Sequence, residues 1–370
     1  MQISDSAGLP LGDIGPIAEH VKLSTRLPGG FAECSFRVPA PTFSVPFYAI
    51  PNGRLDIGDH RGVLGSARME RFEAADDGYW QFVARGYGIN GDDQLYTSQD
   101  VSNTALETIV ANVVSSLMPQ IGATTIATSG VTLSAATAIT LSMMKGGQVL
   151  GWVSFIGTSA NAPLQWHVYP DYDRTIRLTF ETRPTTSTLY LSVRDLSHYR
   201  FGFDLATFAD RISVLYNAGA STVTVNDTTL QGAGPAGINL IRTKHFVYDE
   251  LTQSADATQV AKALLARLSA KRMFATSLVA NPDAIVLDEN EQGVPLWRVR
   301  AGELCQLTDI TSAAGSNESL TFNNSFIIAG TDYDEDEGTL TITPESYASY
   351  QQYEVARARQ LLEGRHTVKG

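Results

Sequence analysis

The chain has 370 residues, of which 43% are apolar and 18% charged, with 39 acidic against 27 basic side chains and a net charge of −12. This composition is that of a globular protein rather than a disordered one, and the length exceeds the roughly 250–300 residues at which a single core stops growing. Two or more domains are expected, and a nucleic-acid groove is excluded because no concentrated Lys/Arg stripe exists to neutralise phosphates.

The first residues, Met-Gln-Ile-Ser-Asp-Ser, lack a basic region followed by an apolar core, so no secretory signal is expected. No apolar run approaches the ~18–20 residues needed to span a bilayer. Cys34 and Cys305 belong to no paired motif and fall on apolar-alternating segments. Buried free thiols are expected there, consistent with folding in a reducing cytoplasm. The sequons at Asn226, Asn317 and Asn323 carry little meaning without a secretory signal.

In chain order, residues 31–88 read as β structure. Cys34, Phe36 and Val38 alternate with polar neighbours, and Phe43–Ile50 runs extended across Pro46. Asp76-Asp77-Gly78 is a turn joining Ala67–Ala74 to Tyr79–Arg85. Thr104-Ala-Leu-Glu107 has the spacing of a capping box, opening a helix that ends near Met118 with Leu106, Ile109, Val110, Val113, Val114 and Leu117 on one face. Thr124–Ser142 is either weak strands or a loosely ordered segment. Strands are expected at Trp152–Ile156, at Trp166–Tyr169 and Thr175–Phe180 around Pro170–Asp173, and at Leu189–Val193.

Arg211–Tyr216 and Thr222–Asn226 form a hairpin across Asn217–Ser221. A helix from about Asp256 to Lys271 turns Val260, Leu264, Leu265 and Leu268 inward, and strands follow at Phe274–Val279 and Ala284–Leu287. Val294–Ile310 reads as a strand pair hinged at Ala301-Gly302, with Trp297 and Val299 facing a core and Arg298 and Arg300 outside. Ser319–Ala329 and Thr339–Thr343 pair around an acidic tip at Asp332–Gly338. A last helix over Glu345–Glu363 carries Tyr347, Tyr350 and Tyr353 on one side.

The chemical motifs are weak. Gly232-Ala-Gly-Pro-Ala-Gly237 matches a dinucleotide fingerprint, but Pro235 interrupts it and a strand-like Ile238–Ile241 follows, where a helix would have to meet the pyrophosphate. Asp332, Asp334 and Asp336 have calcium-loop alternation, yet the glycine falls late and no closing Glu follows, so a solvated tip is favoured over cation binding. The six histidines are scattered, and no G-x-S-x-G elbow occurs. Asp171 and Asp173 beside Trp166 and Tyr169 mimic a sugar cleft, although a plain hairpin turn explains them. The tyrosine stripe of the last helix suits either packing on its own domain or docking on another chain. No catalytic, cofactor or metal residues are therefore assigned.

The order of these segments, and above all Arg211–Tyr216, Ala257–Leu268 and Pro295-Leu-Trp-Arg-Val-Arg-Ala-Gly302, resembles the baseplate or tail-tip hub proteins of tailed bacteriophages. The resemblance implies an α+β, mainly β fold: two small antiparallel β-barrels, an inserted mixed α/β domain and a C-terminal helix. The boundaries expected are 1–103 for the first barrel, 104–210 plus about 246–290 for the mixed domain, 211–245 plus about 291–344 for the second barrel, and 345–370 for the helix. It implies a non-enzymatic virion protein made in the host cytoplasm: a homotrimer forming a pseudo-sixfold ring around the DNA channel. Such a ring joins the tail tube or distal tail ring proteins to a central spike or fibre, with the tape-measure protein as a further partner. An acidic lumen would let DNA slide without sticking. The alternative class is a tail-associated carbohydrate-binding or polysaccharide-hydrolase module, with exposed aromatics near Trp152 or Trp166.

Overall fold

A computed structural model describes residues 1–5, 9–40, 53–96, 103–132, 144–161, 163–199, 202–203, 209–227, 241–249, 251–269, 273–274, 277–309 and 325–345. The expected Phe43–Ile50 strand, the Gly232–Gly237 motif and the last helix beyond Glu345 lie outside these residues. Strands predominate, and the helices among the described residues are α1 (Asn90–Asp93), α2 (Leu106–Leu117), α3 (Gly146–Asn161) and α4 (Ser254–Leu268). The fold is α+β and mainly β.

The N-terminal strands form one antiparallel series. Gln2–Ser4 pairs with Arg54–Asp59, followed by Gly62–Ala74, Tyr79–Gly86, Gly29–Pro39 and Glu19–Arg26. Period-2 alternation drives one face inward, so Cys34, Phe36 and Val38 are buried and Phe36 stacks on Phe82 with centroids 5.0 Å apart. The Asp76–Gly78 turn sits where the sequence places it, with Gly78 at φ +86°, a conformation that favours glycine. Three strands before residue 27 carried no sequence assignment: Gln2–Ser4 and Pro10–Asp13 are too short for a periodic signal, whereas Glu19–Arg26 does alternate, with Val21, Leu23 and Thr25 inward.

A second series draws on distant parts of the chain. Leu189–Ser192 lies between Val286–Asp288 and Leu304–Thr308. Leu304–Thr308 pairs with Ser325–Asp334, which pairs with Thr339–Pro344, then Leu278–Ala280, then Leu196–His198. The 3₁₀ turn Val193–Asp195 joins Leu189–Ser192 to Leu196–His198, so one bent segment pairs at both ends of this run. Its core includes Leu191, Leu278, Cys305, Leu307, Ile328 and Ile342. The two series share a strand: Gly330–Asp334 also pairs with Lys22–Arg26, and Tyr333 packs against both cores.

Between them stands a helical layer. α2, α3 and α4 share one core with the Leu164–Pro170 and Ile176–Thr182 hairpin and with Arg211–Tyr216. The apolar face expected for α2 is buried, with Val114 partly so. Its N-cap, however, is Ala105 rather than Thr104, and Ala105 has no side chain able to cap it. The Leu106 N–H instead donates to the Val131 carbonyl at 3.1 Å. Val260, Leu264, Leu265 and Leu268 of α4 all face inward as expected.

Three expectations are corrected. Trp152–Ile156 is not a strand but the middle of α3, whose residues from Trp152 to Thr158 are all buried. A helix buried all round has no polar stripe to reveal its period. Among the described residues the Arg211–Asn226 hairpin joins none of the 291–344 strands: it forms a three-stranded sheet with Thr243–Tyr248 and packs on α4. Finally, Leu296–Arg298 is a 3₁₀ turn behind Pro295 rather than half of a strand pair. The three-residue period sends Leu296 and Val299 together into the second core and Trp297 towards the first.

Candidate functional site

Leu296–Glu303 lies where the two strand series and the hairpin of the helical layer meet, and it is bonded to each of them. The Ala301 N–H donates to Thr25 Oγ1 at 2.7 Å, and Thr25 Oγ1 lies 2.6 Å from Thr331 Oγ1 on the shared strand. The Tyr169 hydroxyl donates to the Ala301 carbonyl at 3.1 Å, and Gln165 Nε2 donates both to the Gly302 carbonyl (3.2 Å) and to Glu181 Oε1 (2.9 Å). Gly302 donates to the Ile328 carbonyl at 2.9 Å and holds φ +101°, close against Gln165 and His167. Groups from five separated stretches of sequence thus bond one another here, while Gln165 Oε1 and His167 Nδ1 are buried without a hydrogen-bond partner.

Arginines extend this joint outward. Arg298 forms an ion pair with Asp59 at 2.9 Å, donates to the Gly62 carbonyl at 2.8 Å and lies over the Trp297 ring. Arg300 lies 5.0 Å from the Tyr169 ring centroid and is 3.4 Å from Glu303 Oε1. Burial raises the Glu303 carboxyl above its usual range, opposed by Arg300. Burial also lowers the His167 imidazole, with Glu181 opposing and Arg300 adding to the shift. A cleft of about 510 Å³ opens beside these groups, lined by Arg61, Tyr172, Asp288, Arg298, Arg300 and Glu303 among others.

The acidic hairpin tip is shorter than expected, because Asp332–Asp334 belongs to the shared strand. Its carboxylates are laced to the Glu19–Arg26 strand: Asp332 to Arg26 (2.6 Å), Asp334 to Lys22 (2.7 Å) and Asp336 to His20 (2.6 Å). Glu335 accepts the Val21 N–H at 2.9 Å. The alternation that suggested a calcium loop therefore matches the alternation of a cationic neighbour strand. Asp171 pairs with Arg177 at 2.8 Å, and Arg177 also reaches Asp173 at 3.8 Å. Trp152 and Trp166 are buried, so neither supplies the exposed aromatic platform that a sugar-binding surface requires. Both cysteines are buried free thiols, as expected, and burial raises Cys305 to about 12. Thr25, Gln165, His167 and Glu303 carried no sequence signal, and Tyr169 stood out only as an aromatic beside Asp171 and Asp173, since only folding brings them together. What this arrangement does chemically is hold surfaces together.

No family model and no curated protein matches the chain. Solved structures do match in fold. A tail protein from Neisseria meningitidis MC58 superposes with a TM-score of 0.59 at 13% identity, over 92% of this chain and 95% of that one. The 43 kDa tail protein of prophage MuSo2 from Shewanella oneidensis gives 0.59 at 12%, over 93% and 98%. Prophage tail protein gp18 from Listeria monocytogenes EGD-e gives 0.57 at 11%, over 96% and 98%. The chain has the fold of phage tail proteins.

Proposed function

We propose that this protein is a structural component of a phage tail tip or baseplate, the hub that joins the tail tube to a central spike or fibre. The carrying observation is the fold likeness to three tail proteins, which extends over more than nine-tenths of both partners in each comparison. In this reading the two strand series act as two barrel-like units of one chain, and three chains assemble as a pseudo-sixfold ring around the DNA channel. The bent Leu189–His198 segment, pairing at both ends of the second series, supports barrel-like closure there. Cyclic closure suits such a ring, and a net charge of −12 suits a wall that DNA must pass without adhering. The ring's partners are tube or distal tail ring proteins on one face and the spike or fibre on the other, with the tape-measure protein as a further contact. The role in this reading is non-enzymatic, which is supported by the carboxylates named above being held by cations, by backbone N–H groups or, for Glu181, by the Gln165 amide.

The test is the mass of the purified protein in solution by sedimentation, together with electron microscopy of tails bearing a tagged copy. A trimer and threefold density at the tail end are the expected results. A stable monomer, or a label along the tube, would overturn the hub reading.

A further inference from the structure

Alternation along Leu164–Pro170 turns Gln165, His167 and Tyr169 to one face, against Leu296–Glu303, and Glu181 stands opposite Gln165 in the paired strand. A Cβ on Gly302 would lie 3.4 Å from Gln165 Nε2 and 3.9 Å from His167 Nδ1, so both side chains meet the same point of that segment. The bonding there is short of a donor. Gln165 Nε2 donates to the Gly302 carbonyl and to Glu181 Oε1, while Gln165 Oε1 and His167 Nδ1 are buried with no partner. Glu181 Oε1 lies 3.8 Å from His167 Nδ1, too far for a hydrogen bond, and the Glu181 side chain is 43% exposed, which gives it room to turn.

We propose that His167 works a proton-driven latch between this hairpin and Leu296–Glu303. A proton taken up at Nδ1 supplies the missing donor: Glu181 turns to accept the Nδ1–H and leaves the Gln165 amide, and that amide lets go of Gly302. The new cation also repels Arg300, whose guanidinium lies over the neighbouring Tyr169 ring. Nothing else facing the imidazole competes. Gly29 and Gly30, in the strand that pairs with His167 and Val168, carry no charge, and neither do Thr25 and Thr331. Glu303 is held by Arg300, and Arg177, on the same face as Glu181, is paired with Asp171. Burial lowers the imidazole, so the change comes below about 6.5, its ordinary value. The latch lies within one chain and goes beyond the stability that a buried histidine loses in acid. It opens one contact and leaves the two strand cores packed.

The experiment is amide hydrogen exchange of the full chain beside His167→Gln and Glu181→Gln, corrected for the intrinsic pH dependence of exchange. It is run at about pH 7.5 and about pH 5, on either side of the ordinary histidine value and both above that of carboxylates. In the parent, Ala301 and Gly302 should lose protection about tenfold at the lower pH, equivalent to ~1.4 kcal/mol of tighter proton binding by the released arrangement. Tyr79–Gly86, in the first core, should keep its protection. Both variants should lack the step: one has no imidazole, and the other, changed at a partly exposed position that the fold tolerates, has no carboxylate to receive the Nδ1–H. Unchanged protection at Ala301 and Gly302, an equal loss in Tyr79–Gly86, or a step retained by either folded variant would overturn the latch. Whether the chain sediments as a trimer does not enter this result, so the ring and the latch stand or fall separately.

Discussion

Thr25 shows how much one hydroxyl can hold. It accepts the Ala301 N–H and pairs with Thr331 in a buried place where neither has water as a substitute. Thr25→Val is expected to cost about 1–3 kcal/mol, read as a lower denaturant midpoint at unchanged slope. His167 gives the joint a pH dependence. Burial keeps its imidazole neutral below the ordinary range, so the unfolded chain takes up a proton first as pH falls. Stability should therefore decline as pH drops below about 6.5, the ordinary value. Thermal melts of the parent against His167→Gln would check this, with the variant losing that part of the slope. None of these roles was legible beforehand, because Thr25, His167 and Ala301 are ordinary residues whose importance comes from meeting.

Among the elements, legibility followed solvent exposure. The Asp76–Gly78 hairpin, the apolar face of α2 and α4 each set an apolar side against a polar one and were read as such, and the Pro170–Asp173 hairpin was legible from its turn although Leu164–Pro170 is buried on both sides. In α3 the stretch Trp152–Thr158 is buried throughout, and its Trp152–Ile156 part reads as a strand. Its Trp, Val, Phe and Ile residues favour strands locally, and its sixteen-residue length was the overlooked signal. The start of α2 offers a direct test of capping. Its N-cap Ala105 has extended backbone and no side-chain acceptor, so Ala105→Ser should stabilise the protein by about 0.5–1 kcal/mol, measured by chemical denaturation. The acidic tip makes an opposite point: its charges were visible in sequence, but their partners lie more than three hundred residues earlier.

For the whole molecule, the mainly β character and the phage-tail likeness were legible, while the assignment of hairpins to units was not. Arg211–Asn226 alternates like any half-buried hairpin, and alternation does not say which core it faces. The junction of the two series has its own predicted behaviour. Lys22 holds the Asp334 carboxyl below its ordinary range by a hydrogen bond. The contribution of this pair is therefore present above about pH 4 and is lost as pH falls through the lower, native value. Acid titration of the thermal midpoint in dilute buffer should show this loss, and Lys22→Met should flatten it. The pair is exposed, so added salt should shrink the effect in the parent.

The strand Ser325–Asp334 has a mechanical consequence. It pairs with Leu304–Thr308 near its start and lies between Glu19–Arg26 and Thr339–Pro344 along its second half. A pull along this strand that separates the two series loads the Lys22–Arg26 ladder and its ion pairs in shear, all together, whereas a pull across it opens them one after another. A molecule built this way is stiff along one direction and yielding along another. In a tail that transmits force, that anisotropy would let a load applied at one series reach the other through a single beam of backbone.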